Sequence, residues 1–267
     1  MTEVANATSK RSLAGIGRVL VWPGGSVWVG RHVGRVPPHA HHAIQISLSL
    51  AGPFRVRATS WPESRMALGM VVMADQPHEL DGCDGTLATL FVEPNSRPGA
   101  ALRERFGGRD VSLLSESESG ASASGLRDEF LSDASDERLA QFARAAICRI
   151  AGDSRTAPSS DPRITAAIRW MHQLLATTLR LDDVATRVHL SPGRFRHLFV
   201  AQTGTSFRAW LLWARAEHAI AAAHRGLSWT KAAQDAGFAD AAHFTRTCRR
   251  VFGIAPTMLG FERQGCR

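Results

Sequence analysis

HFTRTCRRVFGIAP, His243 to Pro256, sets arginines between large apolar residues near the C-terminus. Phe244, Cys248 and Val251 recur at i, i+4 and i+7, so one stripe packs inward while Thr245, Arg246, Arg249 and Arg250 occupy the rest of the circumference. Asp240 is a suitable cap at the start, and Gly253 followed by Pro256 is a suitable stop. A basic helix alone is most often a solvated face. The decisive observation is a repeat: shifted by 49 residues, RFRHLFVAQTGTS, Arg194 to Ser206, falls on HFTRTCRRVFGIA, His243 to Ala255. Phe195 meets Phe244, Phe199 meets Cys248, Gly204 meets Gly253, and Ser191 meets the capping Asp240. Each copy reads as a short helix (LDDVATRV; SWTKAAQDAG), a tight turn (HLS; FAD) and a second helix with basic and polar residues outward. That is the helix-turn-helix arrangement, whose second helix enters the major groove.

Between the copies, SFRAWLLWARAEHAIAAAHR, Ser206 to Arg225, has helical period with Phe207, Trp210 or Leu211, Ala214 and Ala221 on one face and His218 as the polar interruption of that stripe. Such a helix is roughly 27 Å long. With its flanking turns it suits two reading helices about 34 Å apart, one turn of DNA. Charge is placed accordingly. Residues 161–267 hold 15 Lys plus Arg against 7 Asp plus Glu, a balance of +8, which leaves 17 against 17 for residues 1–160. All of the formal excess lies in the repeat-bearing part, which favours a polyanionic partner.

LDDVATRVHLSPGRFRHLFVAQTGTSFRAWLLWARAEHA followed by LSWTKAAQDAGFADAAHFTRTCRRVFGIAPTM resembles the double helix-turn-helix domain of the AraC/XylS transcription regulators, down to the GF before the second reading helix and the closing FGxxP. The resemblance implies base reading by Gly193, Arg196 and His197 in the first copy and by Ala241, Ala242, Thr245 and Arg246 in the second. Gly193, Ala241 and Ala242 depart from the larger polar residues usual there, and alanine can offer only methyl contacts. Arg196 and Arg246 are therefore the expected guanine readers, while Arg194, Arg249 and Arg250 are better suited to phosphates.

From Gly15 to about Pro98 the chain changes character. RVLVWP, GSVWVG, AIQISLSLAG, FRVRATSW, LGMVVM and GTLATLFVEP are short apolar runs separated by turn formers, the pattern of a many-stranded antiparallel sheet. RVPPHAHHAIQISLSLAG and the later VVMADQPHELDG add His39, His41, His42 and His78. This HxH pair before a strand, with a later strand ending in PH and a glycine-bounded hairpin, resembles the cupin barrel that is the sensory half of many AraC/XylS members. Where metal-binding cupins add a carboxylate, this chain has Gln45 or Ile46. The four histidines are the candidate metal ligands, a divalent ion being an option and no cofactor a requirement. Trp22, Trp28 and Trp61, with His39, His41 and His78, are the candidates for lining an effector pocket inside the barrel. LLSESESGASASG, residues 113–125, reads as a polar loop. DERLAQFARAAICRIAG reads as a helix whose face Leu139, Phe142, Ala146 and Ile150 is available for pairing with a second copy.

The expected fold is α+β: a cupin-like antiparallel β-barrel with flanking helices over 1–155, a linker over 156–162, and an all-α DNA-binding domain over 163–267 with two helix-turn-helix motifs joined by a long helix. No phosphate loop, dinucleotide fingerprint or defensible catalytic triad is present, and Cys83, Cys148, Cys248 and Cys266 have no zinc-finger spacing. With no apolar leader and no long apolar run, a cytoplasmic protein without membrane contact is expected. The reading is a sequence-specific regulator and not an enzyme. Its partners would be double-stranded DNA, a small-molecule effector in the barrel, a second copy of itself, and RNA polymerase if it activates. The resembled family contains activators and repressors, activation being the commoner. The alternative is a cupin-type metal-dependent enzyme with an auxiliary DNA-binding domain.

Overall fold

The computed structural model describes residues 14–32, 34–152 and 161–260. In chain order the first part comprises β1 (Ala14–Trp22), β2 (Gly25–His32), β3 (Arg35–His39), β4 (Ile44–Ala51), β5 (Phe54–Ala58), β6 (Arg65–Ala67), β7 (Gly69–Val72), β8 (His78–Asp81) and β9 (Thr86–Val92). Then come α1 (Arg97–Phe106), β10 (Val111–Leu113), α2 (Glu116–Leu131) and α3 (Asp136–Ala151). The second part is α4 (Pro162–Gln173), α5 (Leu181–Arg187), α6 (Pro192–Thr203), α7 (Phe207–His224), α8 (Trp229–Asp235), α9 (Ala241–Phe252) and a last short strand, β11 (Leu259–Gly260).

The expected cupin-like barrel does not form. Seven strands make one sheet in the order β10-β7-β4-β9-β2-β1-β11, and four make another in the order β3-β8-β5-β6. Both sheets are open, with β10 and β11 as the two edges of the larger. The physical reason lies in what covers their apolar faces. In β4, Ile44, Ile46 and Leu48 pack with Leu126, Leu139 and Ile147 of α2 and α3. On the opposite side, Trp28, Phe91 and Phe54 share a core with Trp213, Ile220, Phe244 and Phe252 of the helical part. Helices from the C-terminal half thus do the covering that barrel closure would otherwise do.

The stretch expected to loop, 113–125, is largely helical. Ser115 caps α2 by accepting from the Glu118 amide at 3.2 Å, and Glu116 and Glu118 suit the positive end of the helix. Its small residues permit close approach: a side chain at Gly69 would collide with Ser119, and one at Gly125 with the Phe142 ring. The face expected to pair with a second copy is used internally, since Leu139, Ala146 and Ile150 are buried in the chain's own core with Phe142 packed against it. Of the proposed linker, residues 156–160 lie outside the described ones; Asp161 caps α4 and Pro162 is its first residue. Cys266 also lies outside them.

Candidate nucleic-acid interface and histidine cluster

The repeat folds as paired helices. Ser191 Oγ accepts from the Arg194 amide at 3.3 Å to start α6, and Asp240 Oδ1 accepts from the His243 amide at 2.6 Å to start α9. Both second helices end on a left-handed glycine, Gly204 (φ 75°) and Gly253 (φ 72°). Gly237, before the second reading helix, is required twice over: its φ is 82°, and any side chain would strike the Leu175 carbonyl and the Arg215 guanidinium.

Phe195 and Phe199 of α6, and Phe244, Cys248, Val251 and Phe252 of α9, are buried. Burial pushes the Cys248 thiol pKa up, which leaves it an inert packing group. Gly193, Arg194, Arg196 and His197 are exposed on α6; Ala241, Ala242, Arg246, Arg249 and Arg250 are exposed on α9. Among the described residues, no ion pair engages Arg196, Arg246 or Arg249. Thr245 is half-buried and its hydroxyl donates to the Ala241 carbonyl at 2.8 Å. Arg250 borders a cleft of ≈ 330 Å³ between the two parts of the chain, together with Arg208, His41, His42 and Asp75. Joining the motifs is α7, 18 residues long and capped by Ser206.

The candidate pocket residues are distributed over several places. Trp28 and His39 line a pocket of ≈ 60 Å³ with Gln45, Thr89 and Phe252. His41 borders the larger cleft, and Trp22 a void of ≈ 10 Å³ with Glu93 and Glu217. The Arg144 guanidinium stacks over Trp22 at 4.9 Å and that of Arg65 over Trp61 at 4.6 Å.

Three of the four candidate ligands converge. His39, His41 and His78 can each present a ring nitrogen within 4.8 Å of the others, a cluster capable of holding a metal ion. Strand register causes this, because His39 and His78 are direct cross-strand partners in β3 and β8. Burial is the largest cause holding His41 down to about 3 and His78 well below the ordinary histidine range, so both are neutral. His42 turns away. Its Nε2 lies 3.6 Å from Glu93 Oε1, and its ring meets Trp213 edge-on.

Sequence reading missed the polar contacts that join the two parts. Trp210 Nε1 donates to Glu93 Oε1 at 3.1 Å, and Ser26 Oγ donates to Glu217 Oε1 at 2.5 Å. Burial would raise Glu93, but the charge and hydrogen bond of His42, with His172 and Trp210, outweigh it and the pKa falls. At Glu217 burial wins and lifts the carboxyl to about 7. The only signal for these groups was an isolated Glu within an apolar helix.

Residues 170–259 match the family described as helix-turn-helix domain. The chain is 32% identical over 97 residues to the regulatory protein PocR of Salmonella typhimurium, covering 36% of this chain and 32% of that one. It is 31% identical over 115 residues to the arabinose operon regulatory protein of Escherichia coli, covering 41% and 37%. It thus spans roughly a third of the length of these curated relatives. The fold of the whole is similar to that of ToxT from Vibrio cholerae, with a TM-score of 0.54 at 13% identity over 89% of this chain and 99% of that one. The likeness of the whole chain is therefore one of fold, and the likeness to these regulatory proteins lies in the C-terminal helix-turn-helix domain. Among the described residues no helix is long and apolar enough to cross a membrane.

Proposed function

We propose that the chain is a sequence-specific regulator of transcription that binds double-stranded DNA through α6 and α9, with the sheet half as its sensory part. The observation that carries this reading is the pair of capped second helices, one before and one after α7 in the chain, each with exposed arginines that no ion pair engages among the described residues. Arg196 and Arg246 read guanine edges; Arg194 and Arg249 hold phosphates. Both relatives named above are regulatory proteins, which supports regulation over catalysis. RNA polymerase is the further partner if the action is activation. ToxT has been crystallised with an unsaturated fatty acid bound. The effector site of this reading is the cleft between the two halves, where Arg208 and Arg250 would meet an acidic group. Selection of duplexes from a random library by the full chain, followed by a salt titration on the selected site, tests the DNA reading. The expected result is one enriched motif and an affinity that falls steeply with salt. No enrichment together with a flat salt dependence overturns it.

A further inference from the structure

Each imidazole of the cluster is anchored in the same way. His39 Nδ1 lies 2.9 Å from the Pro37 carbonyl, His41 Nδ1 2.9 Å from the Ala43 carbonyl, and His78 Nδ1 3.0 Å from the Gln76 carbonyl. A carbonyl only accepts, so each Nδ1 carries the proton and each Nε2 of a neutral ring is left as a lone pair. The three rings each present a nitrogen within 4.8 Å of the others. His41 Nε2 and His78 Nε2 lie 2.9 and 3.1 Å from Gln45 Oε1, another acceptor, whose own amide nitrogen donates to Ser47 Oγ at 3.0 Å. With the Gln45 amide in that orientation, its oxygen and the Nε2 lone pairs of His41 and His78 repel unless a cation stands between them. Backbone carbonyls that fix the Nδ1–H tautomer are also the usual outer shell of histidine metal sites.

We propose that His39, His41 and His78, through Nε2, and Gln45, through Oε1, form a binding site for a divalent transition-metal ion that acts as an input to the regulator. Three imidazoles and one neutral oxygen suit zinc, cobalt or nickel and not magnesium or calcium, which demand more oxygen ligands. His39 and Gln45 also border the ≈ 60 Å³ pocket, where Trp28 Nε1 is a buried donor with no partner among the described residues, so there is room and a hydrogen bond for water or a small anion beside the ion. The route to DNA is short. A Cβ on Gly253, the glycine that ends α9, would come within 3.0 Å of both His39 Nδ1 and the Pro37 carbonyl, and the His41 ring lies 5.3 Å from that of Trp213 on α7. Fixing the His39 ring fixes the strand against which the second reading helix ends. This last step rests on the DNA-binding reading above; the metal site does not.

The test uses the full chain, stripped of metal and titrated with Co²⁺ and then Zn²⁺. The expected result is one Co²⁺ per chain with the visible absorption of a nitrogen-rich low-coordinate site, displaced by Zn²⁺ and not by Mg²⁺. His78→Ala should cost more than the roughly 10- to 100-fold in affinity that loss of an outer-shell partner costs. Gln45→Glu separates ligation from packing. As a ligand the added negative charge should tighten binding, about tenfold. If instead the Gln45 amide is turned so that its NH₂ donates to both imidazoles, the substitution removes two donors, lowers the thermal midpoint and creates no tighter site; that result overturns the proposal. So does absence of a Co²⁺ band in the wild-type chain, or binding that neither variant alters. Should His78→Ala fail to fold, the wild-type titration and Gln45→Glu still decide. The input role is read separately, as Zn²⁺-dependent DNA affinity present in the wild-type chain and lost in the variants. A bound metal with unchanged DNA affinity overturns the input role alone, whereas failure to bind any duplex with or without metal overturns the regulator reading and leaves the spectroscopic result standing.

Discussion

The two helix-turn-helix units carry the same sequence pattern and sit in different mechanical settings. The first, α5 and α6, shares its core, among the described residues, with α4 and the start of α7, through Phe195, Phe199, Trp210, Leu211 and Met171. The second, α8 and α9, shares one core with both sheets: Phe244 and Phe252 belong with Trp28, Phe54, Leu80 and Phe91. Rings from both halves meet there, Trp28 with Phe252 at 4.7 Å and Trp213 with Phe252 at 4.9 Å. Beyond them β11 pairs in parallel with β1, so the end of the helical half is an edge strand of the large sheet. Against that, the first unit's connection to the sheets includes the Trp210 to Glu93 hydrogen bond at the base of α7. A disturbance in the sheet half therefore reaches the second reading helix through packed side chains, while the first can keep its shape.

The largest expected effect attacks that shared core. Phe252→Ala should cost about 3–5 kcal/mol of stability, as truncation of a buried phenylalanine does. Amide exchange should rise in β1 and β2 as well as in α8 and α9. Phe199→Ala should cost a similar amount but raise exchange only in α4 to α6. If both variants loosen the same amides, the two units are not mechanically distinct.

Next comes the polar contact between the halves. In the folded chain Glu217 stays protonated up to about pH 7, whereas unfolded it ionises in the ordinary carboxylate range. Its contribution is full below that range and is lost as pH rises through about 7, by a few kcal/mol at most. Stability measured from pH 4.5 to 8.5 should fall as pH rises towards about 7 and level off above it. Glu217→Gln, which keeps the Ser26 contact without a charge to bury, should flatten the fall, with Glu93 and His42 as the groups facing it. An unchanged pH profile in that variant assigns the dependence to another group.

On DNA the expected effects are smaller. Arg246→Ala should lose about 1–3 kcal/mol on the selected site and relax discrimination at one base pair. Equal losses on scrambled DNA would make Arg246 a phosphate contact. Because the repeat aligns Arg196 with Thr245 and not with Arg246, Arg196→Ala should relax a different position, a sign of an asymmetric half-site. The smallest effect is at Arg250, which borders the cleft between the halves. If it also touches phosphate, Arg250→Ala should weaken all duplexes alike and lower the salt slope by about one. An unchanged slope assigns Arg250 to the cleft.

Local signals decided much of this molecule. Helical period, caps at Ser191 and Asp240, stops at Gly204 and Gly253, and the clustering of positive charge are all short-range, and each is satisfied by neighbours within a few residues. They were enough to find the two motifs and the helix between them. They misjudged 113–125, because small polar residues that fit a loop equally fit a helix that must lie close against Gly69 and Phe142. Only the tertiary structure decided whether the strands close into a barrel, since closure depends on which edges find partners, and here α7, α9 and β11 cover the sheets instead. It likewise selected His39, His41 and His78 over His42 and placed Gln45 beside them, because strand register and the turn of each ring are set by pairings far apart in the chain. And it made two copies of one motif unequal: their own residues specify the same helices, but the surface each rests on comes from elsewhere in the chain.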